Sequence, residues 1–392
     1  MQHVPSAEGW REIARSLVPA FAARAATWDR ERRYPWRNVR ELADAGLMGM
    51  TIPRQHGGAG ASFLDVVHAV EEIAGACTLT ARIVVEGNMG AVSAVMAYGT
   101  PEQRERVAPL VRGGDKPAIC ITEPEAGSDA GSMRTTARRV AGGYLLSGTK
   151  HWITGGGVSK VHLVFARVEH EGEDEGIGGF LVIVEGEPPE GFAVAGRERT
   201  MGLCGMPEAV LHFRDLFVPD AMVVTPPGGF RRGFARLMTA YNSQRVGAGT
   251  IAMGTAAGAL AHAVRYLRER EQFGRPLAEF QGLQWMVADM DAGLHASRLL
   301  LHEAARSRCA AGFPEVATAA RAKLFASETA VRVVDQSLQM FGARGYGADE
   351  PLERMYRDVR MFTIGGGTAQ VLRTQLASHV LGMKLPQTRP VA

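Results

Sequence analysis

The spacing of apolar residues changes twice along this chain, and that change restricts the available folds more than any other feature. From Ser6 to Arg112 apolar side chains recur every three or four positions, as in Val39, Leu42, Ala43 and Gly46, or Val66, Val67, Val70 and Ile73. That period lines one face of an α-helix, and Pro35, Pro53 and Pro101 punctuate the helices. From about Lys116 the pattern turns to short apolar runs such as Val161–Val168 and Phe180–Val184, divided by glycine, proline and polar turns, which read as strands. After Pro226-Pro-Gly-Gly229 the helical period returns and continues to about Leu381, with breaks expected near Gly274-Arg-Pro276, Gly312 and Gly342–Gly347. The expectation is an α+β protein: an N-terminal helical domain over 1–115, a middle β-barrel or sandwich domain over 116–228, and a C-terminal four-helix-bundle domain over 229–392. At roughly 150 residues per domain, 392 residues agree with two to three compact units. Two local expectations follow: one helix from about Leu79 to Tyr98, and a solvated hairpin tip over the acidic, glycine-rich Glu169–Gly179.

Composition excludes several function classes. A hydrophobic share of 46% with 22% charged residues is that of a globular chain, not a disordered one. The net charge of +3 comes from 44 basic against 41 acidic residues without a basic cluster, so no nucleic-acid surface is indicated. Cys77, Cys120, Cys204 and Cys309 lie far apart without metal-ligand spacing, which disfavours a metal site and a disulfide framework and fits a cytoplasmic setting. The stretch from Met1 to Arg33 carries Glu8, Glu12 and Asp29 and has no uninterrupted apolar core, unlike a signal peptide. Val246–Leu260 is the one membrane-like run, but it is short, rich in Ala and Gly, and flanked by Arg245 and His262. It reads as a closely packed helix, with no membrane partner expected. Gly247-Ala-Gly249 within it imitates a dinucleotide fingerprint, yet the preceding Phe234–Arg245 has no strand-like alternation, so the glycines cannot form a strand-to-helix phosphate turn.

Cys120-Ile-Thr-Glu-Pro-Glu-Ala-Gly-Ser-Asp129 with Gly131-Ser132, and Gln339-Met-Phe-Gly342-Ala-Arg-Gly345-Tyr346 continuing to Asp349, Arg354 and Asp358, resemble the two signatures of acyl-CoA dehydrogenases. Lys150-His-Trp152-Ile-Thr154 and Arg268-Glu-Arg270-Glu-Gln-Phe273-Gly274 stand between them in that family's order. Ala343 departs from the usual Gly or Ser. The resemblance covers nearly the whole chain and implies FAD as cofactor, an acyl-CoA thioester as substrate and a homotetramer. By the same resemblance, Cys120, Ile121, Thr122, Ser128, Trp152, Ile153 and Thr154 would surround the flavin, with the Trp152 plane against a ring face. Gln339, Gly342 and Ala343, with Arg270, Phe273 and Gln281 from a neighbouring copy, would hold the ADP half, where small residues let backbone N–H groups approach phosphate. Thr368 and Gln370 would complete the cofactor site, and Ser128, Arg245 and Gly366 would touch the acyl-CoA. The plain structural reading of each is a core Trp, a helix cap or a surface Arg.

The pattern breaks where the family does its chemistry. Dehydrogenation removes a proton α to the thioester, which calls for a positioned carboxylate. The resemblance puts that carboxylate just before the Gly-Thr of the last motif, where Ile364-Gly-Gly366-Gly-Thr368 has glycine, or just before the arginine matching Arg245, where this chain has Gln244. Glycine takes no proton, and an amide is no base near neutral pH. Losing a general base costs roughly 10²- to 10⁴-fold in rate, so dehydrogenation is not the expected main reaction.

Arg82 then gains interest, since on a helix it shares a face with Val85, Met89, Val92 and Met96, and a guanidinium among apolar side chains is costly without an anion. The alternative is a solvated pair with Glu86 at i+4, worth a few tenths of a kcal/mol. Arg82, Gln244 and the base-less glycine loop together resemble one branch of the family, the 3-sulfinopropionyl-CoA desulfinases. So do Tyr241–Gly249, Gly282–Met290 and the tail Met383-Lys-Leu-Pro-Gln387-Thr. That branch implies cleavage of the C–S bond with water to give propionyl-CoA and sulfite, a net redox-neutral reaction that takes no α-proton. Arg82 would grip the sulfinate with a fork of donors, and Gln244 would bond the sulfinate or a water. Three rivals remain: a short-chain dehydrogenase with a displaced base, a flavin monooxygenase, and a non-catalytic FAD- and acyl-CoA-binding protein.

Overall fold

The computed structural model describes residues 5–385; Pro386, Gln387 and Thr388 of the tail noted above lie outside them. The N-terminal helices are α1 (Ala7–Arg30), α2 (Trp36–Asp44), α3 (Phe63–Ala74), α4 (Thr78–Glu86), α5 (Ala91–Tyr98) and α6 (Pro101–Arg112). Local chemistry sets several starts. Ser62 and Asp65 form a reciprocal capping box at α3, as Thr100 and Gln103 do at α6, where Pro101 fills the first turn. Each such cap contributes about 1 kcal/mol.

Strands follow: β1 (Ala118–Cys120), β2 (Thr136–Val140), β3 (Gly143–Thr154), β4 (Val161–His170), β5 (Glu173–Ile183), β6 (Phe192–Arg197), β7 (Glu208–Pro219) and β8 (Val223–Val224). They form one sheet in the order β6-β7-β3-β2-β4-β5-β8, with β1 parallel to β4. The C-terminal helices are α7 (Gly233–Ala240), α8 (Asn242–Glu269), α9 (Gln281–Arg306), α10 (Val316–Met340), α11 (Pro351–Val359) and α12 (Ala369–Leu381), and a small hairpin, β9 (Glu271–Gln272) and β10 (Arg275–Pro276), joins α8 to α9. The expected sequence of helices, sheet and helices is therefore observed.

Two local expectations are corrected. The hairpin tip is only Glu171-Gly172, because β4 and β5 pair out to His170 and Glu173. The glycines that resembled a loop are strand residues cleared for a neighbour, since a Cβ on Gly176 would lie 2.3 Å from the Phe230 carbonyl oxygen. The helix expected from Leu79 to Tyr98 is two helices. Gly90 has φ 61 and ψ −111, a conformation open to glycine, and the Asn88 amide ties the break by donating to the Leu47 and Val84 carbonyls at 2.7 and 2.8 Å.

The membrane-like run is the centre of α8, buried from Val246 to Ala256. A helix apolar all round belongs inside a protein or a bilayer, and here α3, α4, α9 and α10 surround it. Its glycines set the spacing: a Cβ on Gly258 would lie 2.4 Å from the Gly75 carbonyl oxygen. No described helix is long and apolar enough to cross a membrane. The dinucleotide imitation lies mid-helix, preceded by α7, as expected.

Candidate active site

The first signature leaves β1 and is bound to the end of β3. Lys150, fully buried, donates to the Ile121 carbonyl at 3.0 Å and to Glu123 Oε1 at 2.7 Å. Glu123 also accepts from the backbone N–H groups of Arg134 and Thr135, at 2.6 and 2.9 Å. Burial would raise the Glu123 carboxyl, but Lys150 and those donors hold it below its ordinary value. His151 N donates to the Thr122 carbonyl at 2.9 Å. These bonds lay residues 120–123 beside 150–154. At that edge Trp152 has φ 60 and is 52% exposed, so it is not a core residue. Its ring stacks on His151 at 4.9 Å and leaves a broad planar surface. Ser128 is exposed on the loop. Cys120 and Ile153 keep their side chains buried in the sheet core. Only their backbone is on offer, and burial pushes the Cys120 thiol up to about 12, which keeps it inert.

Arg82 lies behind this edge, but not as expected. Instead of facing an apolar stripe, or a solvated Glu86, its guanidinium is 8% exposed and fully engaged. Nε meets Glu86 Oε1 at 3.0 Å, Nη1 meets Glu208 Oε1 at 2.9 Å, and Nη2 donates to Thr154 Oγ1 at 2.6 Å. Lys116 Nζ closes the group on Glu86 Oε2 at 2.6 Å and on the Thr154 carbonyl at 3.0 Å. Thr154 Oγ1 donates its one proton to Glu208 Oε2 at 2.8 Å. The threonine hydroxyl expected on the flavin edge is therefore spoken for inside the protein. Burial opposes the charge on Arg82, but Glu208 and Glu86 outweigh it and hold the guanidinium more firmly protonated. Burial pushes the Glu208 carboxyl up, against the pull of Arg82.

A second cationic group stands at the base-less positions. Arg245, buried, donates from Nε to the Gly366 carbonyl at 3.3 Å and from Nη1 to Asn242 Oδ1 at 2.8 Å. Fully buried Lys323 donates to the Gly367 carbonyl at 2.7 Å. Neither forms an ion pair among the described residues. Desolvation, and then Arg245, bring the Lys323 ammonium down to about 7. Gly366 has φ 75, and a Cβ there would meet only Lys323 Cε, at 3.9 Å. Gln244 Oε1 is buried without a partner, against Gly90 at the break between α4 and α5. Tyr241 links the two groups: burial raises its phenol, and it feels Arg245, Glu86, Arg82 and Glu208.

The remaining expected cofactor residues lie apart from these groups. Gln339, Gly342 and Ala343 are exposed at the end of α10 and in the turn after it, and Gly342 has φ 58 with open space where a Cβ would be. The Thr368 hydroxyl accepts from Val371 N and caps α12, whose second residue is the exposed Gln370. Arg270, Phe273 and Gln281 are exposed around the β9–β10 hairpin, with Phe273 92% exposed at φ 53. No hydrogen bond or ion pair among the described residues joins these three to the Arg82 group. Sequence reasoning missed Lys116, Glu208 and Lys323. Lys323 gave no signal because a lysine on a mainly apolar helix reads as a solvated end, and Glu208 meets Arg82 only through the fold.

Family models named for the acyl-CoA dehydrogenase N-terminal, middle and C-terminal domains match residues 5–115, 118–216 and 231–381. A 3-sulfinopropanoyl-CoA desulfinase of Cupriavidus necator is 57% identical over 377 residues, covering 96% of this chain and 95% of the relative. One of Variovorax paradoxus is 57% identical over 380 residues, covering 97% and 94%. Among solved structures, butyryl-CoA dehydrogenase from Megasphaera elsdenii superposes with a TM-score of 0.90 at 30% identity, covering 97% of this chain and all of that one. With all three domain models matched in order, and the fold shared end to end, the chain belongs to the acyl-CoA dehydrogenase family.

Proposed function

We propose that this protein cleaves the C–S bond of 3-sulfinopropanoyl-CoA with water, releasing propionyl-CoA and sulfite. Gly366 and Gln244 carry this reading, since they leave both of the family's base positions without a carboxylate in a chain 57% identical to desulfinases over 96% of its length. The carboxylates that do lie nearby speak against a dehydrogenase with a displaced base, since Glu86 and Glu208 are each held by buried cations. Their oxygens are taken up by Arg82, Lys116 and the Thr154 hydroxyl, so neither carboxylate is free to reach a substrate's C2 proton.

FAD fits the residues present. Trp152 offers an exposed plane, and Gly342 and Gly366 leave open space where a side chain would block a phosphate or a ring. Thr122, Trp152 and the backbone of residues 120–122 and 153–154 would hold the flavin. Gln339, Gly342, Ala343, Thr368 and Gln370 would hold the remainder, with Arg270, Phe273 and Gln281 of another copy. When bound, FAD supplies a flat, electron-accepting wall to the acyl pocket. Arg82 would offer the sulfinate a planar fork of donors once the tail takes the place of a partner that the guanidinium now holds. The unpartnered oxygen of Gln244 is an acceptor suited to a water O–H. Arg245, buried beside Gly366 and Lys323, keeps that corner cationic, and Ser128 on its exposed loop would meet the CoA. The exposed Phe273, Tyr346 and Trp285 support burial against other copies in a homotetramer, and the widely separated free cysteines suit a cytoplasmic setting.

Anaerobic mixing of the FAD-loaded protein with 3-sulfinopropanoyl-CoA tests the reading. Sulfite release without net loss of flavin colour is expected. Flavin bleaching by butyryl-CoA with no sulfite from the sulfino compound would replace this reading with dehydrogenation, and oxygen uptake in air would replace it with monooxygenation.

A further inference from the structure

Two cations, Arg82 and Lys116, meet two carboxylates, Glu86 and Glu208, in a group where no side chain is more than about a tenth exposed. With all four ionised the group is neutral, so an anionic substrate tail entering against Arg82 adds an uncompensated charge to a buried site, which is strongly unfavourable. Neutrality returns if one carboxylate lets go of the guanidinium and takes a proton. The two are not held alike. Among the described residues Glu86 touches two cations, Arg82 and Lys116, whereas Glu208 touches one, and its other oxygen accepts only the Thr154 hydroxyl.

We propose that Glu208 is an exchangeable counter-ion: the anionic tail of the acyl-CoA displaces it from Arg82, and Glu208 takes up one proton as it is displaced. This inference rests on the reading of the substrate as an acyl-CoA with an anionic tail. It makes Glu208 a positioning residue that acts through Arg82. The charged and titratable groups facing it are Arg82 and Glu86 of α4, Lys116 ahead of β1, Arg197 of β6 and Tyr241 at the start of α8, with the Thr154 hydroxyl of β3. Burial already raises the Glu208 carboxyl, and Arg82, then the Thr154 hydroxyl and Lys116, oppose that rise. Losing the Arg82 contact removes the largest of these opposing influences, so uptake of a proton follows from displacement.

Calorimetric binding to the FAD-loaded protein tests this, run in buffers of different ionisation enthalpy between about pH 7.5 and 9. The probes are succinyl-CoA, whose carboxylate tail has no C–S bond to break, and butyryl-CoA, whose tail is uncharged. Uptake approaching one proton per site is expected for succinyl-CoA and none for butyryl-CoA, with succinyl-CoA affinity falling by up to about tenfold per pH unit. Glu208→Gln, already neutral, is expected to bind succinyl-CoA without uptake and with a flat pH profile. Equal uptake with both ligands, or uptake that persists in Glu208→Gln, overturns the proposal. The wild-type comparison of the two ligands decides even if the variant fails to fold. Sulfite release by wild type with equal proton counts defeats the counter-ion alone, whereas absence of sulfite defeats the functional reading.

Discussion

A guanidinium held by two buried carboxylates cannot be removed without stranding Glu208 and leaving Glu86 to Lys116 alone. Arg82→Ala is therefore expected to abolish sulfite release and also to cost about 3–5 kcal/mol of stability, read by urea melts beside a sulfite assay. Adding Glu208→Gln removes one stranded charge, so the double variant should regain at least about 1 kcal/mol over Arg82→Ala while remaining inactive. Equal stabilities would mean that the Glu208 contact is energetically idle. Gly366→Glu has space, because only Lys323 Cε approaches the new Cβ, but φ 75 strains it by about 1 kcal/mol. It should fold and let butyryl-CoA bleach the flavin; a folded, FAD-loaded variant that never bleaches would show that the missing base is not what silences redox chemistry. Lys323 gives a pH prediction. Its ammonium sits at about 7 in the fold against 10.5 ordinarily, so between those values the unfolded chain binds more protons and folding stability rises with pH. The gain approaches about 1.4 kcal/mol per unit and should be missing from Lys323→Met. At this scale the sequence showed what is absent, Gly366 and Gln244, because register alone reveals it. Partners distant in sequence, such as Glu208 for Arg82, come only from the fold.

Periodicity located the helices and strands well where it was sustained and failed where glycine served two purposes. Gly176 and Gly178 resemble loop residues but clear space for Phe230, while Gly87 and Gly90 end a helix that the apolar spacing carries straight through. The same ambiguity made α8 look like a membrane or nucleotide segment, although its small residues serve close contact between helices. That contact is testable. Gly258→Val places atoms inside the backbone of Gly75, with the Cβ alone 2.4 Å from its carbonyl oxygen. Such overpacking is expected to cost about 3 kcal/mol or more, seen as a lowered thermal midpoint. An unchanged midpoint would mean that α3 and α8 separate easily.

At the scale of the whole molecule, Phe273 at 92% and Tyr346 at 88% exposure are poor surface residues for an isolated chain. If Phe273 completes a neighbour's cofactor site, dilution should release FAD in step with dissociation of the assembly, followed by flavin fluorescence and light scattering together. Flavin kept by a dissociated monomer would assign Phe273 to packing alone. The order of helices, sheet and helices was readable from the sequence; assembly was not, because one chain's pattern does not say which exposed faces meet. The seating of α3 and α4 on α8 has a further consequence for how the protein is made. Thr255 Oγ1 reaches the Ala74 carbonyl across 181 residues of sequence, so the N-terminal helices lack part of their packing surface until α8 has left the ribosome. During that interval their apolar faces stay uncovered, and chaperone capture or aggregation on the ribosome competes with completion of the fold.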